Sequence, residues 1–294
     1  MTFKKPVIIT HNGNFHADEV FAVATILLAI KEDAEIIRTR DPEVVKTGEY
    51  VVDVGGIYDP GKNRFDHHQK EGAGGRSNGI SYSSIGLVWK KFGELVSGDR
   101  DIAEIIDTEL VQPLDAHDNG IDIIKPLIPK IAPFEVGHVM HYIRPTFNES
   151  KNIDESFKEA VSTARHILER IIIHKKSEKN ATEKIKTYYD TGDDKRILVL
   201  HEYLPWEDYV VFNYPEVLFV VYPHADSWRV KSVRKDGTSF ESRRALPEKW
   251  GGKINEDLQK ETGVSDAIFC HNKLFTCAAR SKEGILTLVK LALL

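Results

Sequence analysis

Cysteine is almost absent from this 294-residue chain, in which only Cys270 and Cys277 occur. Two thiols build neither a disulfide framework nor a four-cysteine zinc knuckle, so the composition suits a reducing cytoplasm. Long apolar runs are also missing. The longest, VFAVATILLAI at 20–30, falls short of the roughly 18 residues that cross a bilayer. The opening, MTFKKPVIITHNG, has too short an apolar run for a secretory leader. These absences predict a soluble, cytoplasmic protein with no membrane partner. Net positive charge is lacking as well: 40 Lys and Arg stand against 45 Asp and Glu, a balance of −5. The surface as a whole is therefore not a nucleic-acid coat, and a polyanion would be drawn in by a local basic patch or by metal ions. The glycine-rich tract GAGGRSNG at 72–79 lacks the Gly-Lys-Ser/Thr ending of a phosphate-binding P-loop. It reads as a mobile surface loop, with a lid over a neighbouring site as the alternative. No internal repeat is visible.

The composition that remains is that of a globular protein, 41% hydrophobic and 29% charged, long enough for about two domains. PVIIT (6–10), EIIRT (35–39) and YVVDV (50–54) read as short buried strands. The runs at 20–30 and 100–114 have helical spacing. Strands alternating with helices predict a mainly parallel sheet covered on both faces. From 152 to about 189 the pattern becomes one long charged helix, with Phe157, Val161, Ala164, Leu168 and Ile171 at steps of four and three. TGDDK at 191–195 breaks it, which sets the expected domains at 1–190 and 191–294. The second is strand-rich, at 196–200, 216–223, 228–233 and 267–271, and closes with a helix at 281–293.

Polar clusters follow the predicted strands and apolar runs. His11, His16 and Asp18 follow PVIIT, and Asp53 ends YVVD. RFDHH supplies Asp66, His67 and His68, and LVQPLDAHDNG supplies Asp115, His117 and Asp118. In an open α/β sheet, ligands bind at the carboxyl ends of the strands. Taken singly, each cluster is an ordinary polar turn or cap. Taken together, four of them deliver imidazoles and carboxylates to one edge. Without thiolates, that donor mix suits manganese, iron, cobalt or zinc, and magnesium less well. Six or more donors exceed what one catalytic ion needs, so two ions sharing a bridging carboxylate fit the count.

THNGNFHADE, FDHHQ and DAHDNG, in this order, resemble the DHH phosphoesterase superfamily. They are closest to its melanocyte-proliferating-gene branch of metal-dependent exonucleases. The similarity continues through LPWEDY (204–209) and ESRRALPEKW (241–250). The resemblance implies an α/β fold: a mainly parallel-sheet DHH-type domain, a helical connection, and a smaller C-terminal α/β domain across a cleft. It implies two divalent ions, commonly manganese, with magnesium the alternative. His11, His16 and Asp53 would hold one ion. Asp18, Asp53, His67 and Asp115 would hold the other, with Asp115 preferred to Asp118. The superfamily usually has His-x-x-x-Asp-x-Asp in its first motif. Here the spacing is one longer and His16 replaces an Asp, which favours manganese. The family's usual Gly-Gly pair is Thr276-Cys277 here.

The expected reaction is two-metal phosphodiester hydrolysis of single-stranded RNA or short oligonucleotides. Asp66 would orient an imidazole, and His68 would contact phosphate or protonate the leaving oxygen. Residues 229–249 carry seven Lys and Arg against three Asp and Glu. That patch makes Arg243 the leading phosphate-gripping residue, with His271 and Arg280 behind it. Trp206, Trp228 and Trp250 read as core rather than base-stacking residues. Two other functions fit the same residues. One is a small-molecule phosphatase or pyrophosphatase. The other is a non-catalytic, metal-binding regulatory protein. The oligomeric state is open.

Overall fold

The computed structural model describes residues 5–294, so Met1–Lys4, at the head of the segment weighed as a leader, lie outside the described residues. The chain forms two compact units that divide at Lys175/Lys176.

In the first unit, β1 (Val7–Thr10), β2 (Glu35–Arg38), β3 (Tyr50–Val52), β4 (Tyr58–Asp59) and β5 (Arg64–Phe65) form a sheet in the order β2-β1-β3-β5-β4. All neighbours are parallel except β4–β5. Alternation along the strands splits the core in two. Ile8, Val52 and Phe65 face a large cluster, whereas Val7, Ile9 and Val51 face a small one capped by Val45 of the short helix α2 (Pro42–Val45).

The large cluster is built on α1 (Ala17–Ile30) and α3 (Ser84–Ser97). Val20 through Ala24 of α1 are fully enclosed, which explains an apolar run without a polar stripe. The sequence segment at 100–114 is helical but continues further, as α4 (Arg100–Ile106), a π-turn at Asp107–Val111 and α5 (Gln112–Asp118). Pro113 lacks the N–H that an α-helical ladder needs, and the wider turn just before it accommodates that loss. After α6 (Val136–Ile143) comes α7 (Ile153–Asp190), whose Phe157, Val161, Ala164, Leu168 and Ile172 enter the large core.

In the second unit, β6 (Ile197–Val199), β7 (Phe219–His224), β8 (Ser227–Ser232), β9 (Ala267–Cys270) and β10 (Thr276–Ala279) form a sheet in the order β6-β7-β8-β10-β9. Only β6–β7 is parallel; the other pairs are antiparallel. Phe219 and Val221 pack beneath α9 (Asn255–Thr262) and α10 (Lys282–Leu293), whereas Val220 and Tyr222 face α8 (Glu207–Asn213) and the last turns of α7. Trp206 and Trp250 are core residues. Thr276 and Cys277 are buried in β10, where the Thr276 hydroxyl donates to the Val230 carbonyl. Among the described residues, no helix is long and apolar enough to cross a membrane.

Candidate metal centre

Three adjacent parallel strands end in the residues that matter. His11 directly follows β1, Asp53 follows β3 and Asp66 follows β5. Asp53 takes a left-handed backbone (φ 57), and Gly55 and Gly56 after it are also at positive φ. A non-glycine residue in that region is uncommon and is held by its surroundings, as functional turns often are.

Asp53 is the hub. Its Oδ2 lies 3.3 Å from His11 Nε2, and its Oδ1 lies 3.3 Å from His67 Nε2. The Ser84 hydroxyl donates to the same Oδ1 at 3.0 Å. Asp118 Oδ2 approaches the same His67 nitrogen, 3.2 Å from Nε2. The His11 ring has its Nδ1 2.9 Å from the Asn12 carbonyl, an arrangement that fixes the tautomer and turns Nε2 inward. Burial disfavours charge on His11, but hydrogen bonds to Asp53 and Glu19 outweigh it and hold its pKa up at about 10. Burial likewise opposes charge on His67, and Asp53 and the surrounding carboxylates raise it nonetheless. Burial alone would raise the Asp53 carboxyl, yet those two imidazoles hold it well below the usual carboxylate range.

Asp18 stands in the opposite situation. It lies in the first turn of α1, fully enclosed, and no donor of the fold reaches either carboxylate oxygen; its close polar neighbour is another acid, Glu19. Burial first, then the charges of Asp53, Glu19 and Asp118, push its pKa well up. A buried carboxylate with bare oxygens among three further carboxylates is unfavourable unless a cation completes the arrangement.

Among the described residues, three overlapping groups of side chains could hold metal ions: His11, His16, Glu19 and Asp53; Asp53, His67 and His68; and His16, Asp18 and Asp118. Within each group the donor atoms lie within 4.8 Å of one another. His11, His16, Asp18, Asp53 and His67 are thus brought together. Asp115 is not. It is fully buried, and its Oδ1 accepts from Ser83 N at 2.9 Å, Ser83 Oγ at 2.7 Å and Gly86 N at 3.0 Å, while Arg76 Nη1 donates to Oδ2 at 2.6 Å. Asp115 therefore caps α3, and the α5 carboxylate that joins a candidate group is Asp118, one turn on. Gly86 is required for that approach, because a Cβ there would lie 2.2 Å from Asp115 Oδ2. The same contacts tether the glycine-rich tract, whose Arg76 also grips Asp107.

Asp66 receives Gly56 N at 2.5 Å and His68 N at 3.1 Å, and its Oδ1 lies 2.7 Å from His68 Nδ1. The His68 side chain is 62% exposed, so its other nitrogen is open to solvent. In the second unit, Arg243 is engaged by the fold. Its guanidinium donates to the carbonyls of Tyr214 at 2.6 Å, Val217 at 2.9 Å and Val211 at 2.7 Å. The expectation of a free phosphate clasp there gives way to a clamp on the end of α8. His271 follows β9 and accepts from Lys273 N at 3.1 Å; the Arg280 side chain is exposed.

A model of the MYG1 exonuclease family, described as "Uncharacterised protein family (UPF0160)", matches residues 7–293. The chain belongs to the MYG1 family. The human protein named MYG1 exonuclease is 32% identical over 322 residues, which cover 98% of this chain and 86% of the human one. A MYG1 protein of Schizosaccharomyces pombe is 31% identical over 324 residues, 97% of each chain. One from Chlamydia pneumoniae is 29% identical over 289 residues, covering 97% of this chain and 95% of its own. No solved structure matches. For this MYG1 chain, sequence reasoning overlooked Glu19. Its carboxylate accepts from His16 N at 2.9 and 2.8 Å and lies 3.0 Å from His11 Nε2. The signal was present: a Glu three residues after a helix N-cap is the capping-box pattern.

Proposed function

We propose that this chain is a metal-dependent phosphodiesterase of the DHH type, an exonuclease on single-stranded RNA or short oligonucleotides. The observation that carries the reading is the bare, enclosed Asp18 carboxylate beside a hub, Asp53, whose two oxygens face different imidazoles. The donors present fit divalent cations. His11, His16 and Asp53 would hold one, and Asp18, Asp53, His67 and Asp118 the other, with Asp53 shared. Imidazole mixed with carboxylate favours manganese over magnesium. Divalent cations bound there lower the pKa of water and screen the charge of an in-line displacement at phosphorus.

The chain's own groups supply the rest. Asp66 orients His68 through Nδ1, which leaves Nε2 to donate a proton to the departing oxygen. Glu19 braces both His11 and the start of α1, so the loop between them holds its imidazoles in place. The exonuclease names of the mammalian relatives support nucleic acid as substrate. A second reading, hydrolysis of small phosphate esters or pyrophosphate, is favoured by the engagement of Arg243, which removes the leading cation expected to grip a longer chain.

The test is a manganese-supplemented assay on end-labelled single-stranded RNA, single-stranded DNA and pyrophosphate. Mononucleotide laddering from one end supports the exonuclease. Phosphate release from pyrophosphate alone supports the second reading. Inactivity on all three, with metal bound, rejects both and leaves a metal-binding regulatory role.

A further inference from the structure

Beside the candidate metal centre, within the first unit, lies a cavity of about 330 Å³ lined by His16, Ala17, His117, Asp118, Gly137, His141 and Arg144. Its size falls in the range of small-ligand pockets, roughly 300–1,000 Å³. The lining includes two members of the carboxylate–imidazole groups just described, His16 and Asp118, and three potential cations, His117, His141 and Arg144.

Arg144 is the anomaly. Its guanidinium makes no hydrogen bond or ion pair with any described residue, and its Nε is enclosed without a partner. It sits 5.3 Å from the Phe15 ring, in the loop that carries His11 and His16. Its backbone is set as well. Arg144 ends α6 in an extended conformation (φ −63, ψ 144), as the following Pro145 requires. The contrast with Arg38 is instructive. Arg38 shares the Phe15 ring, at 5.7 Å, and its Nε also lacks a partner, but its two Nη atoms donate to Asp154 at 2.7 Å and to the Gly13 carbonyl at 2.7 Å. Burial pushes the Arg144 pKa down from its ordinary value, the charge of the Glu19 carboxylate opposes that shift without being hydrogen-bonded to it, and the Arg38 charge adds to it; a guanidinium nevertheless stays charged at neutral pH. A positioned, unpaired, partly buried guanidinium is costly unless an anion meets it.

We propose that Arg144, flanked by His117 and His141, is a phosphate-binding subsite that receives a phosphate group of the substrate beside the reacting one. This rests on the phosphodiesterase reading. A guanidinium fork matches two phosphate oxygens, and its position against Phe15 fixes where that phosphate lies relative to His16 and Asp118. Arg144 is a substrate-binding residue in this assignment and takes no part in proton transfer.

The experiment uses the full chain loaded with manganese. Inorganic phosphate is titrated calorimetrically into the unsubstituted protein, Arg144→Met and Arg144→Lys. Methionine keeps an apolar stem against Phe15 without the charge, and lysine keeps the charge without the fork. Arg144→Met should bind phosphate about tenfold more weakly or worse, the loss of one charge-assisted hydrogen bond. Arg144→Lys should fall between, and manganese content should match the unsubstituted protein in both. With an oligonucleotide substrate, Arg144→Met should raise KM by about the same factor and leave kcat within about threefold. Phosphate affinity and KM unchanged in Arg144→Met overturn the subsite and leave the enzymatic reading intact. Manganese lost with Arg144 overturns it too, since the residue would then support the metal cluster. If the unsubstituted protein hydrolyses no phosphoester, the enzymatic reading fails, and the phosphate titration alone still decides the subsite.

Discussion

Asp115 and Asp118 are one helical turn apart, and the structure gives them opposite tasks that one pair of variants separates. Asp115 accepts three hydrogen bonds at the start of α3 and pairs with Arg76, all out of solvent. Replacing it by alanine leaves the Arg76 guanidinium with Asp107 as its one carboxylate partner and strands three donors. Breaking a buried ion pair by removing one partner costs about 3–5 kcal/mol. At about 2–4 °C per kcal/mol for a unit of this size, Asp115→Ala should lower the melting temperature by roughly 6–20 °C. Asp118 has no such network; it lies against His67 and adds to the negative charge around Asp18. Asp118→Ala should leave the metal-free melting temperature unchanged or raise it, and should weaken manganese binding. Scanning calorimetry of metal-free and manganese-loaded protein, with metal content measured by mass spectrometry, checks both. The reasoning is refuted if Asp115→Ala loses manganese while keeping its melting temperature, or if Asp118→Ala melts early but holds manganese normally.

Other outcomes follow from the same geometry. Asp18→Asn removes a buried charge that raises the folded-state pKa. A raised carboxyl pKa makes the metal-free fold lose stability as pH rises above the ordinary Asp range, so this variant should melt higher than the unsubstituted protein at neutral pH without metal; it should also fail to gain stability from manganese, and a lower metal-free melting temperature would contradict this. His11, held at about 10, contributes stability to the metal-free fold that is complete below its unfolded value near 6.5 and is lost as pH rises through 10. Manganese must displace that proton, so binding at pH 7 should release protons, seen as a buffer-dependent heat, and affinity should rise with pH; a buffer-independent heat would speak against it. Asp66→Asn should lower kcat by about 10–100-fold with manganese retained, because it loosens His68 while His11, His16, Asp18, Asp53, His67 and Asp118 stay in place; steady-state kinetics beside metal analysis decides this. Arg243→Ala should destabilise the second unit by about 2–4 kcal/mol, since three carbonyls lose their donor, and leave phosphate affinity unchanged.

Much of the first unit could be read from apolar spacing. PVIIT, EIIRT and YVVDV lie within a residue or two of β1, β2 and β3, because buried parallel strands are short runs of branched apolar residues between polar turns. The two-residue strands β4 and β5 carry too little pattern to be seen, although β5 is what aims Asp66. α3 escaped notice because its N-terminal turn is anchored by Asp115 from a distant segment, a contact with no local signature. For the same reason, sequence spacing could not choose between Asp115 and Asp118. Both suit the motif, and only the position of α3 shows which carboxylate is already satisfied. Arg243 misled in a similar way. A basic stretch shows where charge is, but not that Tyr214 and Val217 present carbonyls to receive it. Glu19 was hidden in plain view, because a capping residue and a bracing carboxylate look alike until His11 is placed beside it.

We propose that Asp53 would be shared by two divalent ions, one on the His11 side and one on the His67 side. Anomalous scattering at the manganese edge from a manganese-soaked crystal tests it directly. The account predicts two peaks flanking the Asp53 carboxylate, one bounded by His11 and His16, the other by Asp18, His67 and Asp118. No peak there, or a lone peak that leaves Asp18 without a cation, would contradict it.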